Sequence, residues 1–332
     1  MERIAIIGLG LIGGSIGLGL KAASLKDVEI AGTARSRETL SKAKRAGAVD
    51  VDAPTPAEAV RGAKLVIIAS PVLTIPGIMD EIAPALADGT IVTDVASTKG
   101  RVLRWAQEKL PRNVSFVGGH PMAGKEQSGI DAADADLFRG NPWVIVPAVD
   151  APEAAVTTVV SLAQTLGANV VFMDADEHDS YVAAVSHLPL ALSTSLFSLV
   201  FGSKAWPELA QIASSGFRDT TRLASGSPEM AHDIVMTNRE NIVHWIDRLQ
   251  VELSRLRDKI AAGDSAAITE AFTKAQLERD NYMLNGPPSR EQAAEVEHLG
   301  LSDILLGSRV TAMMRKQEDI IRKAEERSKG RG

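Results

Sequence analysis

Apolar residues follow two rhythms along this chain. Up to about residue 173 they come in short runs, Ile4–Ile7, Val28–Thr33, Leu65–Ala69, Ile91–Asp94, Ser115–Val117, Leu137–Pro147 and Asn169–Met173. Between the runs lie stretches in which apolar residues recur every three or four positions, among them Thr39–Ala46, Ile75–Leu86, Gly100–Lys109 and Pro152–Leu166. Short buried strands alternating with helices predict a parallel, doubly wound α/β sheet. From Ala175 onward the strand rhythm gives way to long helices. Ile242, Trp245, Leu249, Leu253, Leu256 and Ile260 form a stripe predicted to be buried on a helix that starts near Pro228, and helices of this kind commonly pair two chains. Gly286-Pro287-Pro288-Ser289 breaks the pattern, and the tail Arg315–Gly332 is charged enough to fray. There is no internal repeat.

Composition narrows the function classes. With 332 residues, 45% hydrophobic and 23% charged, the chain reads as two ordinary globular domains. It has no cysteine, which removes disulfides, thiolate metal sites and a cysteine nucleophile and fits a reducing cytoplasm. A net charge of -6 argues against nucleic acid as a partner. No uninterrupted apolar run reaches membrane-spanning length, so a soluble cytoplasmic protein is the expectation.

The first run ends in Gly8-Leu9-Gly10-Leu11-Ile12-Gly13, with a helical pattern after it. In that setting Gly8 makes the tight turn, Gly10 lets backbone approach a pyrophosphate, and Gly13 seats the helix against the strand. Unpaired N–H groups at the helix start, around Leu11 and Ile12, face the phosphates. The second run ends in Thr33-Ala34-Arg35-Ser36-Arg37, with no acid before Glu38. A carboxylate there would hold a ribose 2′-hydroxyl, whereas a 2′-phosphate wants arginine. Arg35, Ser36 and Arg37 therefore favour NADP, and Arg35 stacked on adenine would leave NAD open.

Three polar clusters fall at later strand ends: Ser70-Pro71, Ser97-Thr98-Lys99 and Gly118-Gly119-His120. Ligands of such sheets gather along that edge. Ser97 suits either an N-cap or a ligand contact. The stretch Gly118–Gly129 holds four glycines, a proline and His120, which predicts a shaped loop between the two halves and not a strand interior. In the second half, His178-Asp179, Ser186-His187-Leu188-Pro189 and Gly216–Arg222 stand out. His187 in an apolar helix suits a core histidine as well as a ligand contact. Asp219 and Arg222 are three apart, so the carboxylate can hold the guanidinium for a ligand, or the two form a surface ion pair.

Taken together, Gly-Leu-Gly-Leu-Ile-Gly-Gly-Ser, Asp-Val-Ala-Ser-Thr-Lys, Gly-Gly-His-Pro-Met-Ala-Gly, Ser-His-Leu-Pro and Ser-Gly-Phe-Arg-Asp-Thr-Thr-Arg resemble the prephenate and arogenate dehydrogenases of tyrosine biosynthesis, over residues 1 to 285. The resemblance implies a Rossmann domain over 1–173, a helical substrate and homodimerisation domain over 174–285, and a helical extension over 286–332. It implies oxidative decarboxylation with hydride transfer to NADP or NAD. By the same resemblance, His120 would take the proton of the ring hydroxyl and Ser97 would orient it. Arg222, held by Asp219, would clamp a carboxylate, and His187 would line the ring pocket as a donor. Gly124 and Thr221 fall in the matching motifs, Glu126 matches an acid near the entrance of the site, and Ser70 and Pro71 lie beside the cofactor. No alternating pattern of roughly 70 residues follows Pro288, so any feedback would act at the active site. A β-hydroxyacid dehydrogenase reading wants a lysine early in the second domain, but none lies between Lys125 and Lys204. A cofactor-binding sensor with a dead site is countered by the full set Ser97, His120, His187 and Arg222.

Overall fold

The computed structural model describes residues 2–125 and 127–286, so the expectations for Glu126 and for the segment from 287 to 332 lie outside the described residues. Eight strands form one sheet: β1 (Glu2–Ile7), β2 (Val28–Thr33), β3 (Val51–Asp52), β4 (Ala63–Ile68), β5 (Ile91–Asp94), β6 (Ser115–Pro121), β7 (Pro142–Pro147) and β8 (Asn169–Phe172). Their order is β3-β2-β1-β4-β5-β6-β7-β8. The first six run parallel, while β7 lies antiparallel to β6 and β8 parallel to β7. The wholly parallel expectation fails at β7 because, among its described residues, the connection from Met122 to Asn141 holds only a short 3₁₀ turn, Ile130–Ala132. With no crossover helix, the chain simply turns back.

The sheet is buried on both faces, which is why its strands read as near-continuous apolar runs. Ile6 packs on one face with Leu9, Ile16, Ile30 and Trp143, while Ala5 and Ile7 pack on the other with Val66, Ile68 and Met79. Six helices cover it: α1 (Leu11–Ala22), α2 (Arg37–Arg45), α3 (Pro56–Val60), α4 (Ile75–Ile82), α5 (Gly100–Lys109) and α6 (Glu153–Thr165). The helical half follows: α7 (Ala175–Val182), a π-helical turn at Ala183–His187, α8 (Leu188–Phe201), α9 (Trp206–Ile212), α10 (Ser215–Thr221), α11 (Pro228–Thr237), α12 (Arg239–Ala261) and α13 (Ser265–Asn285).

Four expectations change. The glycine-rich stretch is strand as far as Pro121, with Gly118, Gly119 and His120 paired to Val146, Ile145 and Val144. Glycine is required there by close approach: a Cβ on Gly119 would sit 2.7 Å from the carbonyl oxygen of Asp94. The helix expected from Pro228 is two helices, broken at Asn238. Of the apolar stripe on the second, Ile242 is buried, but Leu253 and Ile260 are 53% and 56% exposed. Finally, the continuous helix Ala175–Phe201 is long and apolar enough to cross a membrane by length and composition alone, although it carries the buried polar groups of His178, Asp179 and His187. The chain forms two compact units, which divide at Gln250 and Val251 within α12. The candidate site described below belongs to the first.

Candidate active site

Gly8 closes β1 with a φ of 101°, a left-handed conformation that favours glycine. A Cβ on Gly13 would lie 1.9 Å from the carbonyl oxygen of Gly8, whereas a Cβ on Gly10 would meet nothing within 4 Å. Backbone contact thus demands glycine at 8 and 13, and Gly10 borders open space. The first turn of α1 has no side-chain cap and no acid, so its N–H groups face that space with positive dipole. These residues fit a dinucleotide pyrophosphate. Beyond β2, Arg35 is 87% exposed, Arg37 begins α2, and Ser36 caps α2 by accepting from the N–H of Thr39 at 3.1 Å. Beyond β4, Ser70 accepts a hydrogen bond from the Thr74 hydroxyl, and Pro71 is exposed.

At the ends of β5 and β6 the polar groups are buried and bonded to one another. Asp94 Oδ1 accepts from the N–H of Gly119, and Lys99 Nζ donates to Asp94 Oδ2 and to the carbonyl of Gly119. Lys99 and Asp94 are both fully buried, so this ion pair grips both sides of the residue that precedes His120. Burial pulls the lysine ammonium below its ordinary pKa, and the Asp94 charge pushes it back. The helix that Lys99 begins is capped from the second half of the chain: Asp179 Oδ1 accepts from the N–H of Lys99 at 2.7 Å, and Oδ2 from the N–H of Gly100 at 2.8 Å. Ser97 takes no part in that cap, so the capping alternative falls away. It is partly exposed, and its hydroxyl bonds no described residue.

Asp179 Oδ1 also lies 2.8 Å from His178 Nδ1, and His178 Nε2 lies 2.9 Å from His120 Nδ1. The carboxylate can only accept, so His178 carries its proton on Nδ1 and offers a bare Nε2 to the N–H of His120. His120 is left with an unprotonated Nε2. Burial, and after it the electrostatic influence of His178, Lys99 and His187, holds His120 well below the ordinary imidazole pKa. Burial alone would raise the Asp179 carboxyl, but hydrogen bonds from His178, Lys99 and Gly100 outweigh it and hold the pKa below the carboxylate range.

His187 completes the group. Asn238, at the break between α11 and α12, donates from Nδ2 to the carbonyl of Asp179 at 2.6 Å and to His187 Nδ1 at 3.2 Å, while its Oδ1 accepts from Asn241. His187 is thereby held with its proton on Nε2, and that atom is buried with no partner among the described residues. Burial lowers its pKa to about 4, against the pull of Asp179, so the ring is a neutral donor. One imidazole that accepts and one that donates are what a bound alcohol requires.

The other predicted residues lie elsewhere. Arg222 is exposed and lines a cleft of about 410 Å³ with Phe197, Arg218, Thr221, Ala224 and Ser225. Neither His120 nor His187 is among the residues that line that cleft. Among the described residues Asp219 takes part in no ion pair, and the expected Asp219–Arg222 clamp is absent because Asp219 is exposed on the last turns of α10 while Arg222 begins a 3₁₀ turn. The Thr221 hydroxyl donates to the carbonyl of Phe217. Gly124 is exposed. Sequence reasoning assigned no role to Lys99, Asp94, His178, Asp179 or Asn238. The first two stand in a motif it had singled out, and His178-Asp179 in another, but their meeting across 58 to 80 residues had no local signal.

Family models agree with this division. A model described as prephenate dehydrogenase, nucleotide-binding domain, matches residues 16–172, and one described as prephenate dehydrogenase, dimerization domain, matches 174–274. A prephenate dehydrogenase of Bacillus subtilis is 34% identical over 88% of this chain and 78% of its own length. A cyclohexadienyl dehydrogenase of Zymomonas mobilis is 32% identical over 84% of this chain and 95% of its own. Among solved structures, prephenate dehydrogenase from A. aeolicus in complex with hydroxyphenyl propionate and NAD+ superposes with a TM-score of 0.79 at 28% identity, covering 85% of this chain and 98% of that one. Synechocystis arogenate dehydrogenase gives 0.72 at 28% identity, covering 85% and 100%.

Proposed function

The chain belongs to the prephenate dehydrogenase family, and its activity is NAD(P)-linked oxidative decarboxylation in tyrosine biosynthesis; from that premise we propose that it oxidises prephenate or arogenate with His120 as base and takes NADP ahead of NAD. The observation that carries the reading is the buried chain Asp179–His178–His120, which leaves His120 Nε2 bare and neutral. The ring hydroxyl at C4 gives its proton to that nitrogen. A dinucleotide held at the Gly8–Gly13 turn would supply the hydride acceptor for C4 as the hydroxyl becomes a carbonyl. The C1 carboxylate then leaves as carbon dioxide; its bonding pair completes the aromatic ring and turns the C4 carbonyl into a phenolate, which takes its proton back from His120 Nε2. The proton on His120 is held in a dry site by His178 and, beyond it, by the Asp179 carboxylate, which supplies the countercharge.

His187 donates from Nε2 to a substrate oxygen, and Asn238 keeps that tautomer in place. Ser97, whose hydroxyl has no described partner, orients the substrate hydroxyl beside His120. Arg222 serves a substrate carboxylate from the cleft it lines with Arg218. For the cofactor, Arg35 and Arg37 meet the 2′-phosphate, with no acid on the loop to repel it. The exposed apolar residues within 174–274 support a homodimer through these helices.

Steady-state kinetics with prephenate and arogenate, each with NAD+ and NADP+, test the reading. The expected kcat/KM with NADP+ exceeds that with NAD+ by about tenfold, the size of one good charged contact. A comparable margin for NAD+ overturns the cofactor assignment, and no turnover of either substrate overturns the reaction.

A further inference from the structure

Helix α11 carries an acid that bears on the cofactor. Glu229, Asp233 and Thr237 are four apart and share one face of the helix. Each reaches a different strand end. Glu229 Oε1 lies 3.7 Å from Arg35 Nη1 beyond β2, Asp233 Oδ2 accepts from the N–H of Leu73 beyond β4, and the Thr237 hydroxyl bonds that of Thr98 beyond β5. In the sheet these strands stand in the order β2-β1-β4-β5, with the glycine turn of β1 between the first two contacts. The helix therefore lies across the edge along which a dinucleotide is laid. Asp233 and Thr237 are buried and fix the helix, whereas the Glu229 carboxylate is 51% exposed and free to act on what binds next to Arg35.

Resting on the reading that the Arg35 loop takes the adenosine 2′-substituent, we propose that Glu229 is a specificity-determining residue that competes with a 2′-phosphate for Arg35 and so narrows the preference for NADP over NAD. The acid missing from the end of β2, where Ala34 stands, is supplied from the other half of the chain. A phosphate near a double negative charge must displace this carboxylate from Arg35 and tolerate it nearby, whereas a 2′-hydroxyl does neither. Because the ion pair is exposed, its effect is modest and screened by salt.

Calorimetric titration of the full chain at low salt with 2′,5′-ADP and with 5′-AMP tests this in the wild type, Glu229→Gln, Glu229→Lys and Arg35→Ala. Glu229→Gln is expected to tighten 2′,5′-ADP by about two- to fivefold, and Glu229→Lys by more, with 5′-AMP unchanged. Arg35→Ala is expected to weaken 2′,5′-ADP by about tenfold. If Arg35→Ala weakens 2′,5′-ADP while both Glu229 variants leave it unchanged, the inference fails alone. If Arg35→Ala has no effect, the reading of the 2′-site fails and the inference with it. Equal tightening of both ligands would mark a general charge effect and overturn the competition.

Discussion

His120 does its work through the protons it does not hold. Its Nδ1–H is committed to His178, and replacing the ring with an amide removes the basic nitrogen while leaving the pairing of β6 with β7 intact. His120→Asn is expected to fold and bind cofactor but to lose about 10²- to 10⁴-fold in kcat, measured in steady state with saturating cofactor. The pH profile follows from the depressed pKa. An ordinary histidine base would lose activity as pH falls through 6.5, but His120 stays neutral below that value, so kcat/KM should remain flat down past pH 6.5 before its acid limb begins. A limb centred at 6.5 or above would contradict the buried, cation-flanked setting. His120 and His187 were legible as polar residues in motifs of unusual composition. Their partners were not, because the bonds to His178 and Asn238 span 58 and 51 residues and arise only when α7 docks against the sheet edge.

At the scale of elements, the bounds of β2, β5 and α5 could be read directly, since a short apolar run or a repeat of three and four is nearly unambiguous when glycine or a polar cluster closes it. The end of β6 could not be read. Gly118, Gly119 and Pro121 argue locally against strand, and only the nearness of Asp94 and Trp143 explains why glycine suits that position. The cap of α5 was equally hidden, because Ser97 stands where a local cap would stand while the true acceptor, Asp179, comes from another helix. That cap makes a stability prediction. Asp179→Asn keeps the shape but loses the charge that serves two backbone N–H groups and His178, at a cost of about 1–3 kcal/mol near neutral pH. The folded pKa of Asp179 lies below its ordinary 3.8, so the wild-type advantage is fully present above that value and is lost as pH falls through the folded pKa. Urea melts at pH 7 and below 3.8 should show the gap between the two proteins closing; a gap that persists in acid would mean the carboxylate charge is not its source.

For the whole molecule, the two rhythms in the sequence map onto a buried sheet and a set of helices whose apolar faces are only partly covered. The stripe expected on α12 is the clearest case. Leu253 and Ile260 are seven apart, hence on one face, and both are more than half exposed in the single chain. Sequence periodicity cannot tell whether such a face is covered by the same chain or by another, since the hydrophobic pattern is the same in both. The match to a dimerization domain over 174–274 favours a second copy. Replacing both residues with glutamate, Leu253→Glu with Ile260→Glu, would bury two unpaired charges in that interface, and buried unpaired charge is among the costliest changes a packed surface can suffer. Sedimentation at micromolar concentration should find the wild type as a dimer and the double variant as a monomer, with a thermal midpoint that rises with concentration only in the wild type. An unchanged dimer in the double variant would move the interface away from this face of α12.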